Sequence, residues 1–215
     1  MVQSLKEDVL NLPNMLTLGR IVLIPVVVVF MELSRLSDGY GPTEHQHSLE
    51  YCFWAAVLFA LAAATDYFDG WLARNLNQIT ILGKLLDPIA DKLIVMATLV
   101  TLTELGRAPS WLVVLLLARE LGISGLRSIA SSEGLSLDVV QAGKWKTAFQ
   151  LCGIIGLLVH HKIPLDFVFV NSFEFDFHEA GLLLVFLSLV FSLWSAFVYG
   201  RSFIRSVAAR YHSQP

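Results

Sequence analysis

The sequence predicts an all-α integral membrane protein with six transmembrane helices, and three observations carry that expectation. The 215 residues are 55% hydrophobic and only 15% charged, with a mean hydropathy of +0.65. A soluble domain of this size carries about 25% charged residues. Several apolar runs approach the ~20 residues that cross a ~30 Å hydrocarbon core as a helix. Lysine and arginine then sort to alternate connections. This composition excludes a soluble enzyme or binding module. The net charge of −3 decides little, because its distribution matters more than its sum.

Residues 2–11 place Leu5, Val9 and Leu10 at roughly helical spacing, which predicts a short juxtamembrane amphipathic helix. Asn11-Leu-Pro13-Asn14 reads as a turn and helix start. The first span runs from about Met15 to Leu33, with Arg20 in its first turns and a kink expected at Pro25. A polar loop is expected over 34–50, then a second span over Leu49–Phe68 and a third over Leu85–Leu105. Gly106-Arg-Ala-Pro109-Ser110 predicts a tight turn, and the fourth span reaches about Ile129. After a polar stretch, the fifth span covers Thr147–Val159, and a loop rich in Phe, Asp and Glu leads to the sixth, Ala180–Tyr199.

Six spans put both termini on one side. With the N-terminus inside, twelve basic residues fall on the cytoplasmic face and only Arg35, Arg107 and Lys162 on the other. Both termini are therefore expected in the cytoplasm. No secretory signal peptide is expected ahead of the first span. Cys52 and Cys152 lack metal or redox spacing and read as small packing residues. His45, His47, His160, His161 and His178 fall on the outer side and read as solvated loop residues. Trp54, Trp111 and Tyr199, near span ends, suit interfacial belts.

The chemistry concentrates at the junction of the second and third spans. Asp66, Asp69, Gly70, Ala73 and Arg74 follow the spacing of one helix face, and Asp87 and Asp91 are i, i+4 on the next helix. Ionisable groups at a membrane segment are costly and mark function by default. Four clustered carboxylates repel unless they protonate or hold a cation. A hard divalent ion takes such oxygen ligands and keeps positions open for phosphates. Two ions can clamp the attacking and leaving oxygens of a displacement at phosphorus. Gly70 and Ala73 leave room for close approach, and Arg74 offers a forked contact to phosphate. The plainer reading is a set of membrane-edge acids paired with nearby Arg and Lys. It suits any one Asp better than four at this spacing.

The string Asp66-x2-Asp69-Gly70-x2-Ala73-Arg74-x8-Gly83-x3-Asp87-x3-Asp91 resembles the signature of the CDP-alcohol phosphotransferases at every fixed position. Asn14-x2-Thr17-x2-Arg20 also resembles the start of that family. The resemblance implies one membrane domain over 1–215, a homodimer, and displacement of CMP from a CDP-linked lipid by an alcohol. It implies Asp66, Asp69, Asp87 and Asp91 as ligands of two Mg²⁺ or Mn²⁺ ions, with Asp91 also the catalytic base. Gly70, Ala73, Arg74, Asn14 and Thr17 would contact the CDP moiety.

Asp87-Pro-Ile-Ala-Asp91-Lys92, Ala118-Arg119-Glu120 through Arg127, and Gly143-Lys144-Trp-Lys146-Thr147 resemble the branch whose acceptor is sn-glycerol 3-phosphate. Arg119 and Arg127 share one helix stripe, and Lys144 and Lys146 open the next span on the same side. Such a basic set suits a dianionic acceptor. The alternative is that these four are ordinary lipid-headgroup anchors. Glu120 reads as a pairing or orienting residue. The expected partners are CDP-diacylglycerol, sn-glycerol 3-phosphate and membrane lipid, with no nucleic acid. The expected location is the bacterial cytoplasmic (inner) membrane, with the site on its cytoplasmic side. Two rivals remain: a cardiolipin synthase with a lipid acceptor, and a cation transporter, against which the clustering at one face and the lack of an inverted repeat both speak.

Overall fold

The computed structural model describes residues 12–37, 42–75, 81–133, 142–167 and 170–212. Among them the chain forms helices α1 (Leu12–Ser37), α2 (Pro42–Asn75), α3 (Ile81–Glu104), α4 (Ser110–Ser132), α5 (Ala142–Val159) and α6 (Phe177–His212). An antiparallel hairpin of β1 (Lys162–Phe167) and β2 (Val170–Asp176) joins α5 to α6. The expected amphipathic helix at 2–11 lies outside the described residues.

Among the described residues, three helices are long and apolar enough to cross a membrane: 14–37 in α1, 46–65 in α2 and 177–208 in α6. α4 carries Arg119, Glu120 and Arg127, and α5 carries Lys144 and Lys146, so their apolar runs are interrupted. Yet Val100 of α3, Val114 and Leu121 of α4 and Trp145 of α5 are exposed, as are Val22, Phe53 and Phe197 on the other three helices. So much outward apolar surface suits a lipid surround, not water.

Pro25 lies inside α1, within the first span as expected. The boundaries of other helices correct expectations. Residues 42–50, expected as loop, are the first turns of α2. α6 extends well past Tyr199 to His212. The loop expected before α6 is the hairpin, with Lys162 opposite Asp176 and Leu165 opposite Phe173. The tight turn after α3 is found. Gly106 takes φ 69°, its N–H donates to Thr103 O at 3.0 Å and the Arg107 N–H to Leu102 O at 2.9 Å. This is the Schellman ending that a glycine permits.

α5 packs most closely on α6, and α1 on α2 and α3; α2 also meets α5, and α4 meets α6. The α5–α6 contact is backbone to backbone. A Cβ added to Gly181 would lie 2.7 Å from Leu157 N, and one on Gly153 would lie 2.7 Å from Val185 Cγ2. The apolar core gathers at one end of the bundle, from Met31, Phe59, Leu99, Leu112, Leu157 and Val185.

That end is closed by Arg107, one of the three cations expected on the outer side, and it is buried. Its guanidinium donates to Leu158 O, Ser34 Oγ and Cys52 Sγ, each at 3.3 Å. It thereby ties the α3–α4 turn to α5, α1 and α2. Cys52 is buried as expected, whereas Cys152 is exposed. His47 is exposed beside Glu50. His160 and His178 are not freely solvated: their Nδ1 atoms lie 3.0 Å apart and their rings meet edge to face.

Candidate active site

The polar end of the bundle, opposite the apolar core, holds a cavity of about 800 Å³. Every helix contributes to it: Arg20 from α1, Ala62 from α2, Asp91 and Lys92 from α3, Arg119 to Arg127 from α4, Lys144 and Lys146 from α5, and Ser195 and Tyr199 from α6. A volume of this size accommodates a small-molecule ligand.

Asn14, Thr17 and Arg20 recur along one stripe of α1, and all three are buried. Arg20 reaches α3 and forms an ion pair with the Asp91 carboxylate. Asp91 keeps 40% of its side chain exposed, facing the cavity. Lys92 Nζ donates to Ser124 Oγ on α4, whose hydroxyl donates to Glu120 O at 2.7 Å.

Glu120 is the electrostatic hub. Its Oε2 pairs with Lys146 Nζ and lies 3.5 Å from Arg119 Nη1. Arg119 is held further by α6: Nε donates to Ser192 O at 2.9 Å and Nη2 to Ser195 Oγ at 3.0 Å. Arg127 Nη2 donates to Tyr199 OH at 2.7 Å, and its guanidinium carbon stands 4.8 Å over the Tyr199 ring. Lys144 is exposed at the cavity wall. Among the described residues, the lining holds the cations Arg20, Lys92, Arg119, Arg127, Lys144 and Lys146 and the carboxylates Asp91 and Glu120. Clustered cations in a partly enclosed space attract an anion.

Of the residues expected at the site, Asp91, Arg119, Arg127, Lys144 and Lys146 line this one cavity. Asp66, Asp69, Gly70, Ala73 and Arg74 lie on the last turns of α2, and Asp87 lies one turn before Asp91 on α3. Their side chains fall outside the described residues. Tyr199, expected at the membrane interface, is 4% exposed and faces the cavity. Ser192 and Ser195 were also missed. The signal was present, because Ser188, Ser192, Ser195 and Tyr199 repeat at i, i+4, i+7, i+11 within an apolar span.

The fold and this cavity define a class: a helical membrane protein with a cation-lined cavity at its polar end beside helix-borne carboxylates. The chain belongs to the CDP-alcohol phosphatidyltransferase family, whose profile matches residues 10–196. It is therefore a transferase. It is 36% identical over 191 residues to the CDP-diacylglycerol–glycerol-3-phosphate 3-phosphatidyltransferase of Bacillus subtilis (strain 168), covering 87% of this chain and 93% of that protein. It is also 36% identical over 195 residues to the protein of the same name from Escherichia coli (strain K12), covering 88% and 92%.

Proposed function

We propose that the chain transfers the phosphatidyl group of CDP-diacylglycerol to sn-glycerol 3-phosphate, giving phosphatidylglycerol phosphate and CMP. The observation that carries this reading is the cation-rich cavity beside Asp91, in a chain similar over most of its length to transferases named for that acceptor. A phosphate monoester needs several donors in one place, and a free neutral alcohol does not.

In this reading Asp91 accepts the proton of the acceptor hydroxyl. The oxygen forms a bond to the lipid-side phosphorus while the bond to CMP breaks, and CMP leaves with the electron pair. Arg20 aims the Asp91 carboxylate. The basic residues of α4 and α5 hold the acceptor phosphate, so the hydroxyl arrives in line. Asn14, Thr17, Gly70, Ala73 and Arg74 take the CDP moiety.

The donor set fits divalent ions. The exposed Asp91 carboxylate opens into the cavity, Asp87 precedes it by one helical turn, and Asp66 and Asp69 occupy the end of the adjoining α2. All four are hard oxygen donors of the kind that such ions take. Two Mg²⁺ or Mn²⁺ ions held by Asp66, Asp69, Asp87 and Asp91 would stabilise the charge developing on the transferred phosphoryl group and on departing CMP. The whole chain acts as one domain and, by the family resemblance, as a homodimer. It lies in the bacterial cytoplasmic membrane with six spans, both termini and the cavity facing the cytoplasm.

The test is CMP release by purified protein given CDP-diacylglycerol with either sn-glycerol 3-phosphate or phosphatidylglycerol, with metal omitted in one arm. Release is expected only with glycerol 3-phosphate and metal. Turnover with phosphatidylglycerol instead would reassign the chain as a cardiolipin synthase. Asp87→Asn should abolish release while the protein stays folded, and normal turnover there would remove the metal assignment.

A further inference from the structure

The cavity's cations are not equivalent, and their partners sort them into two sets. Arg20 is paired with Asp91, and Lys146 with Glu120. Arg119 spends each of its nitrogens on Ser192 O, Ser195 Oγ or Glu120. These three are tied to carboxylates or to the frame of α6. Lys92 and Arg127 differ, because each donates to a neutral hydroxyl, Ser124 and Tyr199 respectively. Lys144 is exposed. A partly buried ammonium held by a neutral oxygen gives up little on moving to a phosphate, since charge-assisted bonds are roughly twice as strong as neutral ones. An ammonium already on a carboxylate would have to break a pair of the same strength.

We propose that Lys92 is an acceptor-binding residue: its ammonium group leaves Ser124 and, with Arg127 and Lys144, takes the phosphate of the acceptor. The inference rests on the reading that the acceptor carries a phosphate. Lys92 is suited by position as well as charge. It follows Asp91 directly on α3 and reaches to α4, so it stands between the carboxylate that takes the proton and the arginine that holds the far end of the acceptor. Ser124 gives the side chain a defined resting place, because the hydroxyl hydrogen is committed to Glu120 O and a lone pair is left for Lys92. Lys146 and Arg119, already engaged by Glu120 and α6, complete the wall of the same phosphate pocket.

The experiment compares wild type with Lys92→Gln, Lys92→Arg and Ser124→Ala. It reads the KM of each substrate, the thermal midpoint, and the affinity for inorganic phosphate by titration calorimetry. Lys92→Gln should raise the KM for glycerol 3-phosphate and the Kd for phosphate roughly tenfold or more, leaving the KM for CDP-diacylglycerol within about twofold. Lys92→Arg should recover most of the loss. Ser124→Ala should lower the KM for glycerol 3-phosphate, because the ammonium no longer leaves a partner. Unchanged phosphate affinity in Lys92→Gln would overturn the proposal. So would Ser124→Ala raising KM as Lys92→Gln does, for that would make the pair a strut between α3 and α4. If wild type turns over no glycerol 3-phosphate, the functional reading fails, and the phosphate titration still decides the role of Lys92.

Discussion

Arg20 of α1 and Asp91 of α3, 71 residues apart in sequence, form an ion pair in which the arginine is buried and the carboxylate faces the cavity. The asymmetry sets the roles. The guanidinium is 1% exposed and cannot move without opening the α1–α3 contact, so it directs the more exposed Asp91. Removing it takes away this hold on the carboxylate, and small misplacements of a group with the role proposed for Asp91 cost about 10²-fold in rate. Arg20→Gln should lower kcat by about two orders of magnitude and stability by about 2 kcal/mol, the latter reduced because Asp91 remains partly solvated. Turnover assays and thermal melts in detergent check both. Full kcat in this variant would detach Arg20 from the aim of Asp91.

Glu120 supports a second prediction. Lys146 is largely buried, and the Glu120 carboxylate is its partner among the described residues. Glu120→Gln keeps the shape but leaves the ammonium without a counter-charge, a typical cause of large destabilisation. The expected loss is about 2 kcal/mol. Lys146→Met made in the Glu120→Gln background should restore part of it, because the pair is then replaced by groups that need no compensation. A double-mutant cycle of melting midpoints measures the coupling directly. Additive losses would show that the pair contributes little.

The residues themselves explain how much of this was legible in advance. The six helices follow from apolar runs, and the Asp87–Asp91 spacing from helical period. The turn at Gly106 followed from Gly and Pro punctuation. What a period cannot say is what a side chain meets across the bundle. Sorting rules treat charge by loop and put Arg107 on the outer side, but they do not say that its guanidinium is buried on three neutral acceptors. Tyr199 sits at a span end, where belts are common, so its contact with Arg127, 72 residues away, was invisible. The hairpin could have been read: Ile163, Leu165 and Phe167 alternate with Lys162, Pro164 and Asp166, a period of two.

The glycine contact between α5 and α6 supports a third prediction. The atoms nearest a Cβ on Gly181 are backbone, Leu157 N at 2.7 Å and Gly153 O at 2.9 Å, so no side-chain rotation relieves the clash. Gly181→Ala must push the helices apart. Overpacking of this kind costs about 1–3 kcal/mol. It should also weaken the acceptor site, because Ser192, Ser195 and Tyr199 ride on the same helix as Gly181. The expected result is a lower melting midpoint together with a higher KM for glycerol 3-phosphate. Gly200→Ala, at a position with no neighbouring atom within 4 Å, should leave the packing intact. Equal midpoints for both variants would contradict the close contact.

The start of α6 carries a pH dependence whose sign can be worked out. Asp176 ends β2 and caps the helix: its Oδ1 accepts the Glu179 N–H at 3.2 Å and the His178 N–H at 2.9 Å. These bonds, the Glu179 one above all, hold its carboxyl below the usual 3.8, and Lys162 at 3.7 Å adds to the effect. A carboxylate whose folded value is depressed stabilises the fold above its unfolded value and loses that contribution as pH falls through the folded one. The cap is therefore fully in place at neutral pH and fades below about pH 4. The protection of the His178 and Glu179 amides, relative to their intrinsic exchange rates at each pH, should fall over that window in wild type. Asp176→Asn retains a capping oxygen and should remove the pH dependence of that protection, whereas Asp176→Ala should show low protection at every pH. Protection of these two amides that stayed constant from pH 7 to 3 would mean that something other than the Asp176 carboxylate holds the start of α6.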